Sequence, residues 1–178
     1  MGISATQTRE AAAKAIESHP APKTRLSKNG HSEKDFKSLK KNLVAAATKV
    51  PTSLGGGNHG HAGILLDPLE CLALTGDPLI AFNEEARPDD LPNIDPNDTP
   101  ATVSLKQDTL AHAQATCHTQ EGAKTAILES IISNADEETI IDLRDDDFGY
   151  TNVHPRDVLQ HLQNGALSER IALMSRTR

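Results

Sequence analysis

The chain of 178 residues has no Trp, one Tyr and three Phe. Leu, Ile, Val and Ala must therefore supply almost all of the burial energy, at about 25 cal/mol per Å² of apolar surface. A core of this kind is most readily built from helices. Cysteine is as scarce: Cys71 and Cys117 are the only two and form no CxxC pair. That excludes a disulfide framework and fits a reducing, cytoplasmic setting, with both thiols expected in the core as small hydrophobes. No apolar run approaches the roughly 20 residues of a membrane helix. The polar start "MGISATQTRE" has no apolar segment of a secretory signal. Met1, Gly2 and Thr6 formally meet the myristoylation pattern, which is short enough to arise by chance.

The net charge of −7 is unevenly spread. Residues 1–50 carry ten Lys/Arg against four Asp/Glu, and residues 51–178 carry eight against twenty-one. A basic arm beside an acidic domain can meet nucleic acid, an anionic surface or the acidic face of a second copy, and it also simply solvates a tail. Residues 1–32 are rich in Gly, Ser, Thr, Pro and Lys, so a disordered arm is expected, with only a fleeting helix in "REAAAKAI".

From Ser32 the pattern is helical. Phe36, Leu39, Leu43, Ala46, Ala47 and Val50 form one stripe that Pro51 ends, leaving Lys34, Lys37, Lys40 and Lys41 largely on the other face as candidate nucleic-acid contacts. Asp67, Pro68 and Gly76 read as N-cap, first turn and C′ position of a short helix. Pro78, Pro88, Pro92, Pro96 and Pro100 with the acidic string "NEEARPDDLPNIDPND" read as a long surface loop. Asp98 or Thr99 caps a long helix reaching Ser133, with Gly122 weakening its middle. A cap at Asn134 or Asp136 opens "DEETIIDLR". After the turn "DDDFGYTN", Pro155 opens a helix that points Val158, Leu159 and Leu162 inward. No repeat is present, and no strand is expected beyond residues 64–66. The organisation is a basic arm (1–32), a mainly α-helical domain (33–163) and a C-terminal tail (164–178).

The stretch "LGGGNHGHAGILL" over residues 54–66 is the most distinctive chemistry. A phosphate cradle needs a helix N-terminus and usually a Lys followed by Ser/Thr, and here no Lys follows. Gly57-Asn58-His59 resembles a metallophosphoesterase block, but the upstream and second-metal ligands of that chemistry are missing. A single zinc could draw on His59, His61, Cys71, His112, Cys117, His118 or His161, in no established spacing. Cys117 and His118 are adjacent, so they sit on different helix faces and make no nucleophile-base pair. "DLRDDDFG" lacks the ligand spacing of a calcium loop. The expectation is no enzyme, no metal and no cofactor. Gly55, Gly56, Gly57, Asn58, His59, Gly60 and His61 are expected to form a structural motif in which glycines allow a tight turn and one histidine bonds its backbone. The competing reading is a small metal-binding domain or metal-dependent hydrolase using His59 and His61.

Two blocks add a family expectation: "LVAAATKVPTSLGGGNHGHAGILLDPLECLALTG" and "ILESIISNADEETIIDLRDDDFGYTNVHPRDVLQHL". Together they resemble the Gag-like capsid region of copia-type retrotransposons, in the divergent form of algal and other protist genomes. In that family a Pro-ended helix leads to a Gly-Gly-Gly-x-His-Gly-His segment, an apolar run, a short Pro-x-Glu helix and a Pro-rich loop. A long helix, a Gly-Tyr-x-x-Val turn and a capped helix ending in His-Leu follow. The resemblance covers about residues 35–162 and implies a helical, capsid-like domain that self-associates. Gly149, Tyr150, Leu159 and Leu162 would serve as turn or self-association residues, and the basic arm would touch RNA non-specifically. The sequence departs from the pattern at Cys71 (an aromatic in the family), at His154 (a capping Thr) and after Leu162, which implies a partial or decayed copy.

Overall fold

A computed structural model describes residues 4–20, 26 and 32–176, with side chains as far as residue 168. Its elements are α1 (Ala5–Glu17), α2 (Glu33–Ala47), a 3-10 segment (Gly57–Ile64), α3 (Pro68–Thr75), α4 (Pro100–Asn134), α5 (Glu137–Ile140), a single 3-10 turn (Ile141–Leu143) and α6 (Pro155–Arg176). The fold is mainly α. No strand occurs among the described residues, and residues 64–66 end the 3-10 segment rather than forming the short β segment. The glycines before Ile64 drive the chain into turns too tight for extended backbone.

Local chemistry sets the helix ends. Ser32 and Asp35 make a reciprocal capping box on α2, and Asp67 and Glu70 make one on α3. Gly76 ends α3 in the left-handed conformation (φ 71°). Thr99, not Asp98, accepts the cap bond of α4, with Pro100 in its first turn. Asp98 instead holds Lys106 at 2.7 Å.

The core joins Phe36, Leu39 and Leu43 of α2 to Ile127 and Ile131 of α4, to Ile64 and Leu65, to Ile140, and to Val158, Leu159 and Leu162 of α6. Leu159 and Leu162, named as turn or self-association residues, are 2% and 1% exposed and lie in this core. The first half of α4 buries nothing before Cys117 and is flanked by the Pro-rich loop, where Gln114 Nε2 donates to Asp89 O at 3.4 Å.

Ala5–Glu17 are helical: Ser4 and Gln7 cap α1, and Ala12 and Ile16 are buried. A lone helix of this length is marginal in water, and packing on α4 stabilises it. The contact is made at Gly122, where an added Cβ would lie 2.4 Å from Arg9 O. Arg9 Nε donates to Glu121 at 2.8 Å beside it. Leu26, fully buried, pairs with Ala135, its N–H reaching Asn134 O at 2.7 Å and its carbonyl accepting from Asp136 at 2.8 Å. α6 runs through residue 164 without a break, and Ala166 is buried. Gly2 of the myristoylation pattern lies outside the described residues.

Candidate functional site: a glycine-histidine junction

Residues 54–64 carry the chain from the end of α2 to the core. Gly55, Gly56, Gly57 and Gly60 all have positive φ (99°, 75°, 58° and 51°). Gly60 (ψ −137°) kinks the 3-10 segment in a region that essentially only glycine occupies. A Cβ there would lie 2.5 Å from Val50 O, 2.6 Å from Thr48 O and 3.0 Å from Ala47 O, the carbonyls at the end of α2. Gly55 faces a different neighbour: its Cβ would lie 1.9 Å from Ala81 O. Gly63, outside the expected motif, would meet the Phe82 ring at 2.2 Å. The glycines are therefore points of contact between three backbone segments, closed by bonds from Gly56 N to Ile80 O (3.2 Å) and from Asn83 N to Leu54 O (2.8 Å).

His61 ties this junction to α2. It is 1% exposed, its Nδ1 lies 2.9 Å from Val50 O, and its ring meets Phe82 edge-on at 6.1 Å. A carbonyl can only accept, so Nδ1 carries the proton and the buried Nε2 keeps a lone pair with no hydrogen-bond partner in the fold. Desolvation lowers the imidazole pKa, against a smaller raising effect of the Val50 bond. The folded state thus resists the proton that the unfolded chain takes up below about pH 6.5. The unfolded state then binds more protons, so stability falls as pH falls, by at most about 1.4 kcal/mol per pH unit for this one group. Urea titrations at descending pH should show this loss for the wild type and a flatter profile for His61→Gln; parallel profiles would refute it.

His59 is only half-buried and Asn58 is exposed. Among the described residues no group of three or more His, Cys, Asp or Glu side chains is placed to hold a metal ion. Of the two thiols, Cys117 is buried, but Cys71 is only half-buried. Cys71 lines an apolar groove of about 410 Å³ formed with Leu66, Leu69, Leu72, Ile80 and Phe82. Its place on α3, which buries no residue, explains the departure from the expected core position.

One cluster had no local sign in the sequence. Glu84, in the Pro-rich loop, receives His154 Nε2 at 2.9 Å, Lys124 of α4, and Arg156 of α6 at 3.7 Å. Burial alone would raise its pKa; the hydrogen bonds from His154 and Lys124, with the positive charge beside it, outweigh that and hold it at about 2. Arg156 also donates to Gly63 O at 2.6 Å, joining this cluster to the glycine junction. His154 Nδ1 accepts from Arg156 N at 3.2 Å and so caps α6 in the position where the resemblance expected a Thr.

The four expected basic contacts divide. Lys37 pairs with Glu33 at 2.6 Å and Lys40 pairs with Glu70, while Lys34 and Lys41 face solvent without an ion pair. Gly149 and Tyr150 do form a turn: Gly149 has φ 61° and bridges to Asp145. No helix among the described residues is long and apolar enough to cross a membrane. No protein-family model, curated protein or solved structure matches the chain.

Proposed function

We propose that the chain is a non-enzymatic structural domain of the Gag-like capsid type, acting by self-association, with the glycine-histidine junction as scaffold rather than as reaction centre. The observation that carries this reading is α3. This helix buries none of its residues, and with the following turn it exposes Leu69 (77%), Leu72 (39%), Leu74 (39%) and Leu79 (91%). Scattered single leucines need no explanation; four on one short helix and its exit mark a contact surface.

The competing proposal, metal chemistry through His59 and His61, needs two imidazole nitrogens open to a cation. His61 has one committed to Val50 and the other buried. RNA contact keeps two of its four expected lysines free of ion pairs and is the weaker reading of the basic half.

Sedimentation and light scattering of the full chain test the proposal. The wild type is expected to gain mass with concentration, and Leu69→Ser with Leu79→Ser is expected to remove most of that gain while leaving the circular dichroism unchanged, since both side chains are exposed. A strictly monomeric wild type, or stoichiometric zinc lost on mutating both histidines, would defeat it.

A further inference from the structure

Two charged surfaces are largely without ion-pair counterparts among the described residues. The first is the outer face of α2. Lys34, Ser38, Lys41 and Ala45 recur at helical spacing and are all exposed, flanked by exposed Lys37 and by Lys49 just past the helix end. Among the described residues Lys34, Lys41 and Lys49 enter no ion pair. The second surface follows α5. Among the described residues Asp142, Asp145, Asp146 and Asp147 enter no ion pair, and the neighbouring Arg144 pairs with Glu137 at 3.0 Å.

The acidic turn also presents an aromatic. Phe148 is 63% exposed, in a chain with only three Phe and one Tyr. The backbone holds it there: Asp145 and Gly149 exchange both N–H to carbonyl bonds (2.8 and 3.0 Å). Asp145 Oδ1 accepts from the N–H of Asp147 and of Phe148, each at 2.9 Å.

We infer that the lysine face of α2 docks on the acidic, Phe148-bearing turn of a second copy of this chain. Charge complementarity selects the occupant, because the same molecule carries a fixed acidic surface with an apolar anchor in its middle. The small Ser38 and Ala45 leave room on the helix face for an aromatic ring, and Lys41 between them supplies a cation for its π face. RNA phosphate would satisfy the lysines but leave Phe148 unexplained, and the α2 face offers no aromatic on which a base could stack. Paired reciprocally, the two surfaces close a two-fold dimer; paired head-to-tail, they generate rings or open arrays. The inference rests on the self-association reading and names a second contact beside the apolar face of α3.

Charge exchange in the full chain provides the test. Lys34→Glu with Lys41→Glu, and separately Asp146→Lys with Asp147→Lys, should each weaken self-association about tenfold or more at low salt, and the two pairs combined should restore it. Wild-type association should weaken between about 0.05 M and about 0.5 M NaCl. Phe148→Ala should weaken it at both salt concentrations. A combined variant no tighter than either parent would overturn the inference. Association that survives both charge reversals but is lost in Leu69→Ser with Leu79→Ser would overturn it and leave the proposed function standing. A wild type that never associates would defeat both. If an oligouridylate binds the wild type and is lost with Lys34→Glu and Lys41→Glu while mass is unchanged, the face is an RNA contact and the inference falls.

Discussion

Gly60→Ala should lower the stability of the domain by about 2–6 kcal/mol, enough to unfold a marginal chain. Two costs add at this position. Alanine at φ 51° and ψ −137° is strained by about 1–3 kcal/mol. Its Cβ would also press on three carbonyl oxygens, of Ala47 at the end of α2 and of Thr48 and Val50 just past it, at 2.5–3.0 Å. Those oxygens belong to backbone at the end of a packed helix, so relief requires moving α2 or breaking the His61 bond to Val50; overpacking of this kind costs about 1–3 kcal/mol more. Chemical denaturation measures the sum. Gly57→Ala serves as the reference: it shares a positive φ but meets only Ile80 Cγ2 at 3.4 Å, and so should cost about 1 kcal/mol. Equal losses at the two positions would show that strain alone matters and that the close approach to α2 does not.

Gly122→Ala should undock α1. In an open helix this change stabilises by about 1 kcal/mol. Here the new methyl would lie 2.4–2.9 Å from the backbone of Arg9, which cannot rotate away as a side chain can. α1 must lift, exposing Ala12 and Ile16 and parting Arg9 from Glu121. The expected net loss is about 2 kcal/mol, most of it from the unburied Ile16. It should be local: amide exchange and tryptic cleavage should rise over residues 5–17 while α2, α4 and α6 keep their protection. A variant more stable than the wild type would mean that α1 does not pack where the structure places it.

These two glycines show where the sequence was readable. Helices whose ends carry their own chemistry were legible: Ser32, Asp67 with Pro68, Pro100 and Pro155 each mark a start, and the stripe from Phe36 to Val50 points into the core as its spacing requires. α1 was not, because its stability lies in a partner more than a hundred residues away. The sign of that partner was present, but Gly122 read alone is a weak spot in a helix, and only the crossing of α1 makes it a notch. The glycine-histidine junction was legible as a tight turn with one anchored histidine. Which imidazole is buried depends on where Val50 O and Phe82 come to lie, and neighbouring residues do not encode that. Glu84 and its cations come from three segments with no shared spacing, so nothing local could announce them.

The closed base of the junction has one more consequence. Leu54 is bonded to Asn83 and Gly56 to Ile80, so the chain between them runs through the core at Ile64 and Leu65, passes out over α3 and returns to nearly the same place. α3 lies within that excursion and gives no side chain to the interior. Foldability and surface identity are thereby uncoupled along the sequence. Substitutions on the exposed side of α3 can drift and diversify with little effect on the core so long as Glu70 keeps its pair with Lys40, which makes this segment the natural place for one lineage of such a protein to come to differ from another.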